Sequence, residues 1–204
     1  MGDGISRQRP HDVGACGRPP VWLLGLTAAL LVLFALSGEG GRALLRYERS
    51  AVMAGEWWRL ASGHFVHGSH QHLLLNMAGL GVIGALFPRD YSAAAWLFVG
   101  LSSLIAIDVG FVLWEPQLEW YVGFSGVLHG ALAAGTVAWW RHEKPLLALI
   151  LTVVFVGKLA WEQTLGALPL SGDLPVVVDA HLYGACGGWC AATLVWVRQR
   201  YWSP

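Results

Sequence analysis

Six long apolar runs dominate this chain and leave few ways to fold it. They cover roughly Val21–Ser37, His72–Phe87, Tyr91–Trp114, Phe124–Trp140, Leu146–Leu165 and Val176–Val197. A helix that crosses a bilayer needs about 20 mostly apolar residues, with a range of about 17–25, and these runs approach or meet that length. In hydrocarbon each backbone N–H and C=O must be satisfied within its own segment, so such runs form helices. Composition points the same way. Of 204 residues, 55% are hydrophobic and 13% charged, with 12 Trp and 26 Gly, whereas a soluble domain carries about 25% charged residues. The expected fold is an all-α membrane protein, a six-transmembrane-helix bundle over residues 21–198.

The breaks between runs fit that reading. Pro88-Arg89-Asp90 separates the second from the third, and the charged stretch from Arg141 to Pro145 separates the fourth from the fifth. Proline and charge end helices in short turns. Residues 38–71 form the one long connection, and a connection of that length usually carries structure or function of its own. Residues 1–20 and 199–204 remain as flanking segments. Ala35-Leu36-Ser37 faintly resembles a signal-peptide cleavage site. The stretch before the first run is long for such a leader, so the run reads as a retained span.

Orientation follows Lys and Arg, which favour the cytoplasmic side. With the N-terminus inside, the inner segments hold Arg7, Arg9, Arg18, Arg89, Arg141, Lys144, Arg198 and Arg200. The outer side holds Arg42, Arg46, Arg49 and Arg59, all in the long connection, while Glu115, Glu119, Asp173 and Asp179 sit in the short outer loops. Both termini are therefore expected in the cytoplasm. Formal net charge is zero, so there is no basic footprint for nucleic acid. Cys16, Cys186 and Cys190 make neither a disulfide framework nor a zinc pattern. Cys186 and Cys190 read as small packing residues.

The second, fourth and sixth runs all descend from the outer face, and each begins with polar residues. The second opens with His72 and Asn76, the fourth with Ser125, and the sixth carries His181 five residues in, about 7.5 Å down a helix. Polar groups inside a membrane are costly and face a bundle interior or a wet cavity. One outward-opening cavity would hold all four. Ser125 can act as a nucleophile if His181 takes its proton. His72 and Asn76, one turn apart on one face, can donate to a developing oxyanion. Gly123 and Gly126 let the backbone bend around Ser125. Gly126, Gly130 and Ala134 recur at four-residue spacing, as do Gly184, Gly188 and Ala192. Such faces let helices approach closely and would bring Ser125 and His181 to one level.

These residues resemble the rhomboid family of intramembrane serine proteases over about Trp58 to Trp196. Gly123-Phe124-Ser125-Gly126 resembles its GxSG motif. Ala180-His181-Leu182-Tyr183-Gly184 with Gly188 resembles AHxxGxxxG, and His72 with Asn76 resembles HxxxN. Trp58-Arg59 matches the family's WR pair in the first loop, and His67 a histidine beyond it. The resemblance implies a Ser125–His181 dyad with no third acid, and an oxyanion hole from the Ser125 N–H, His72 and Asn76. It implies no metal or other cofactor. Its implied partners are the lipid bilayer and the transmembrane segment of a protein substrate, cut near the outer end. His129 stands where many rhomboids place a tyrosine that packs on the catalytic histidine. In a chain of about this length, "GFSGVLHG" resembles the rhombosortase branch, which in bacteria accompanies proteins with a C-terminal Gly-Gly motif, a transmembrane helix and a basic tail. That implies a bacterial inner membrane with the site open to the periplasm.

Several residues keep two readings. One turn from Ser125, His129 can stack on His181, exchange a hydrogen bond with it, or simply pack. Asp179 is a candidate third acid, although its position two residues before His181 points it elsewhere on a helix. Lys158 and Glu162, four apart, can pair with each other, and Asp108 has no evident role. Trp58, Arg59 and His67 read as holding the long connection together. Two rival functions stay open: a catalytically silent rhomboid-like protein that binds membrane helices, and a metal transporter built on His64, His67, His70 and His72, which fall within nine residues.

Overall fold

The computed structural model describes residues 20–141, 145–168 and 176–202. Cys16, Asp173, Arg7, Arg9, Arg18 and Lys144, with most of the flanking segments, lie outside the described residues. Each of the six apolar runs holds a helix. These are α1 (Val21–Ala35), α5 (His70–Leu86), α6 (Ala93–Trp114), α7 (Ser125–Arg141), α8 (Pro145–Leu165) and α9 (Val178–Trp202). By length and composition, α6 and α8 are each sufficient to cross a membrane. So is α1 taken together with α2 (Gly38–Leu45), to which it is joined at a 110° bend. The remaining helices mix apolar residues with the glycines and polar groups from which the interior is built.

Local chemistry sets the boundaries. Ser69 caps α5 by accepting from the His72 N–H, and Ser92 caps α6 by accepting from the Ala95 N–H. Pro145 opens α8, where its missing N–H costs nothing. Gly38 takes a φ of +68° at the bend after α1.

Besides a buried core, the molecule carries many large apolar residues on its outer surface. Leu101, Ile105 and Leu113 on α6, and Leu146, Val153 and Val154 on α8, are exposed. Ala133, Ala134, Ala138, Ala185 and Ala192 are fully buried. On α6 and α8 many large side chains face outward, while small ones pack helix on helix beside a core that includes Phe87, Ile107, Phe111 and Phe155, a pattern suited to lipid surroundings. Cys186 and Cys190 belong to the outer set. Both are exposed, so they are not the small packing residues that the sequence suggests.

The connection from 38 to 71 is ordered. It holds α2, strand β1 (Tyr47–Glu48), α3 (Arg49–Met53) and α4 (Trp58–Ser62). Its knot is Arg59, buried within it. The Arg59 Nη1 donates to Ala43 O and Arg46 O, both at 2.9 Å, and its Nε pairs with Glu56 at 2.6 Å. Trp58 Nε1 reaches Leu44 O at 3.5 Å, and Arg42 Nη1 donates to Gly68 O at 2.6 Å. Arg49 donates to the Phe111, Val112 and Glu115 carbonyls at the end of α6, where a helix leaves carbonyls unpaired and favours a cation. Arg46 pairs with Glu48 at 2.9 Å. All four arginines of this connection thus have structural partners, which explains so much positive charge in one loop. β1 pairs antiparallel with strand β2 (Trp120–Tyr121), Tyr47 opposite Tyr121. That pairing ties the long connection to the chain just before Ser125.

Candidate active site

The α7–α9 contact is made by backbone. A side chain at Gly126 would lie 2.8 Å from Ala180 O. One at Gly184 would fall on Gly126 O, and one at Gly188 on Gly130 O. The two four-residue ladders read from the sequence therefore face each other. Behind Gly130 stands Ser103 of α6, whose Oγ donates to Val99 O at 2.8 Å. Tyr91 and Trp189 pin the same helix, through Ala134 O at 2.8 Å and Thr136 Oγ1 at 3.1 Å.

At the start of this seam, Ser125 Oγ lies 2.9 Å from His181 Nε2. Ser125 is half-buried and His181 is buried, 5% exposed. Ser125 is the first residue of α7, so its N–H has no partner within the helix. Gly123, at a φ of +126°, turns the chain into α7. A Cβ there would stand 2.6 Å from the His72 ring, so the glycine is demanded both by its backbone and by the imidazole against it. Tyr121 Oη donates to Gly123 O at 2.6 Å and Gly123 N donates to Gly63 O at 3.1 Å. Strand, loop and turn thus hold the approach to Ser125 from three sides. Asn76 is buried one turn below His72 and spends one N–H of its amide on His72 O at 3.1 Å, leaving the other to give.

His67 packs edge-on against His72, ring centroids 5.0 Å apart. Burial, reinforced by the His72 ring, pushes the His67 imidazole down to about 4, so it stays neutral near pH 7. His64 points away and meets Asp108 of α6 at 3.2 Å, which supplies a partner for that acid. His70 is exposed. The four histidines within nine residues do not converge on a common point.

Two features escape the sequence reading. Glu162 of α8, 3% exposed, sets its Oε2 3.0 Å from His181 Nδ1. It stands where Asp179 was the candidate, and where the resemblance implies no acid at all. Lys158 does pair with Glu162, at 2.6 Å, but it also lies 2.7 Å from His129 Nε2. His129 is stacked flat on His181, centroids 3.9 Å apart and planes within 9°. Its hydrogen bonds go elsewhere, with Nδ1 2.7 Å from Ser125 O. The alternative of a hydrogen bond between the two imidazoles is thereby replaced by stacking. His129, Glu162 and His181 offer three metal-ligand atoms within 4.8 Å of one another. The Lys158 ammonium, bonded to two of those residues, already supplies positive charge there.

Comparison with known proteins identifies the family. The rhomboid domain model matches residues 54–198, and the chain belongs to the rhomboid family. It is 25% identical over 184 residues to "Putative rhomboid protease YdcA" of Bacillus subtilis, covering 85% of this chain and 86% of that protein. It is 26% identical to "Rhomboid protease GluP" of the same organism over 86% of this chain and 35% of the relative. It is 30% identical to "RHOMBOID-like protein 2" of Arabidopsis thaliana over 75% of this chain and 47% of the relative. The chain thus spans about a third to a half of the latter two. Family and apolar helices together make it a membrane protein.

Proposed function

We propose that this chain is an intramembrane serine endopeptidase, with Ser125 as nucleophile and His181 as base. The observation that carries the reading is the 2.9 Å approach of Ser125 Oγ to His181 Nε2 on two helices locked backbone to backbone. A hydroxyl is a weak nucleophile until a neighbouring base takes its proton. His181 takes it as Oγ attacks the scissile carbonyl, then delivers it to the leaving amine. Water, or another acceptor, completes the turnover of the acyl-enzyme. The Ser125 N–H, His72 and the free N–H of Asn76 surround the place where the oxyanion forms. The names of the relatives as rhomboid proteases support the reading. Trp58, Arg59 and His67 act by holding the loop beside the site. Gly123, Gly126, Gly184 and Gly188 set the backbone, and His129 supports His181.

In this reading six helices cross the bilayer, both termini lie in the cytoplasm, and the site opens to the periplasmic face of a bacterial inner membrane. The substrate is the transmembrane segment of an exported protein. "GFSGVLHG" favours a C-terminal sorting segment of the Gly-Gly type.

Ser125→Ala and His181→Ala should each abolish cleavage of a co-expressed tail-anchored substrate, with the enzyme still in the membrane. The double variant should be no worse than either single one, because the pair acts as a unit. Mass spectrometry of the released C-terminus identifies the bond. Substantial cleavage by Ser125→Ala would remove the serine-protease reading in favour of a binding protein or transporter.

A further inference from the structure

Around the Ser125–His181 pair the hydrogen bonds close into a ring. Ser125 Oγ meets His181 Nε2 at 2.9 Å, and His181 Nδ1 meets Glu162 Oε2 at 3.0 Å. Glu162 Oε2 meets Lys158 Nζ at 2.6 Å, Lys158 Nζ meets His129 Nε2 at 2.7 Å, and His129 Nδ1 returns to Ser125 O at 2.7 Å. Three members of this ring have no freedom of role. A backbone carbonyl can only accept, and an ammonium can only donate. His129 must therefore donate from Nδ1 to Ser125 O and accept from Lys158 at Nε2, which makes it neutral and fixes its tautomer. On the other side, a carboxylate can only accept, so His181 donates from Nδ1 to Glu162. That leaves the Nε2 lone pair free, aimed at the Ser125 hydroxyl.

We propose that Glu162 is the third member of a Ser125–His181–Glu162 triad, and that Lys158, anchored on His129, is the residue that holds it there. This deepens the protease reading and rests on it. Both α8 residues are positioning residues, since they act through His181. When Ser125 Oγ bonds to the substrate carbonyl, its proton moves to Nε2 and His181 becomes an imidazolium. Charges then alternate in sign along the ring: ammonium, carboxylate, imidazolium, oxyanion. No like charges become neighbours in that sequence, and the transition state gains from each adjacent pair. His129 kept neutral matters for the same reason, because its ring lies flat against the one that becomes charged. A dyad without an acid leaves the base free to choose either tautomer; here one is dictated.

The test uses the full chain in detergent micelles with a transmembrane peptide substrate. Glu162→Gln keeps shape but removes the negative charge that makes this position accept only, and should lower kcat by about 10²–10⁴-fold with KM little changed. Glu162→Asp should recover at least tenfold of that loss, and Lys158→Met should cost about tenfold or more. Proton NMR of histidine-labelled protein gives a reading independent of turnover. A low-field Nδ1–H resonance of His181 should be present in wild type and in Ser125→Ala, and absent in Glu162→Gln. The proposal is overturned if Glu162→Gln retains more than a third of wild-type kcat, or if that resonance is missing from wild type or persists in Glu162→Gln. Failure of the protease reading shows differently, as cleavage by Ser125→Ala, and overturns the triad with it even where the resonance is present.

Discussion

Helix α7 is held on two sides by opposite means. Against α9 its closest approaches are backbone on backbone, where Gly126, Gly130, Gly184 and Gly188 leave no side chain to adjust. Toward α8 it reaches across with a titratable side chain, His129 to Lys158, and α9 does the same from its own side, His181 to Glu162. The first contact is rigid at those glycines, because no side chain there can rotate. The second is adjustable, and its energy lies in charge and proton placement. The difference assigns separate tasks. The seam sets where the Ser125 and His181 backbones stand; in the proposed triad, α8 sets which atoms carry protons.

The sharpest way to break that comparison is to put bulk into the seam. Gly188→Leu should destabilise by about 3 kcal/mol or more, since a backbone carbonyl cannot move aside as a side chain does. The loss should appear in thermal unfolding in detergent, and activity should fall with it. A Gly188→Leu protein that melts like wild type would show that the seam is not the rigid element. Between the two extremes lies α5, which meets α7 through Gly79 against the Leu128 side chain. Asn76→Ala tests whether this third face contributes chemistry or packing. We expect a loss of about 10²-fold in kcat, the usual cost of one oxyanion donor, with KM and melting temperature little changed. If KM rises by the same factor, Asn76 contacts substrate in the ground state instead.

The smallest effect sharpens the contrast from the other direction. Gly157 of α8 is a glycine with open space around its Cα. Gly157→Ala should leave activity alone and raise stability by about 0.5–1 kcal/mol through helix propensity, read as a small rise in melting temperature. A clear loss of stability would mean that α8 makes a close contact there after all.

How much of this was legible in the sequence depended on how local the signal was. Helices and their ends followed from apolar runs, prolines and capping serines, all readable within a few residues. The seam was legible because four-residue spacing of small residues lies within one helix and repeats in its partner. The exposure of Cys186 and Cys190 was also within reach. Each lies two residues past a seam glycine, on the far side of a helix with 3.6 residues per turn. The Lys158–Glu162 pair was legible, but its link to His181 was not, because a lysine and a glutamate four apart on an apolar helix satisfy each other and suggest no further partner. The signal that could have found them is the cost of any ionisable pair at that depth, which by itself marks a functional place. The link from His64 to Asp108 spans 44 residues and joins a loop to a helix, and no local pattern announces such a pair.

The order of the parts along the chain has a consequence for the living cell. Ser125 and its proposed base, His181, are 56 positions apart in sequence, and His181 lies on α9, the last of the described helices. At roughly 5–20 residues per second of synthesis, about 3–11 seconds separate the making of the nucleophile from the making of the group that activates it. During that interval a newborn chain already contains Ser125 yet has no means of ionising it. Should the proposed chemistry hold, translation itself acts as a safety catch: a half-inserted molecule cannot cut its neighbours at the translocon, and becomes active only when α9 docks along α7.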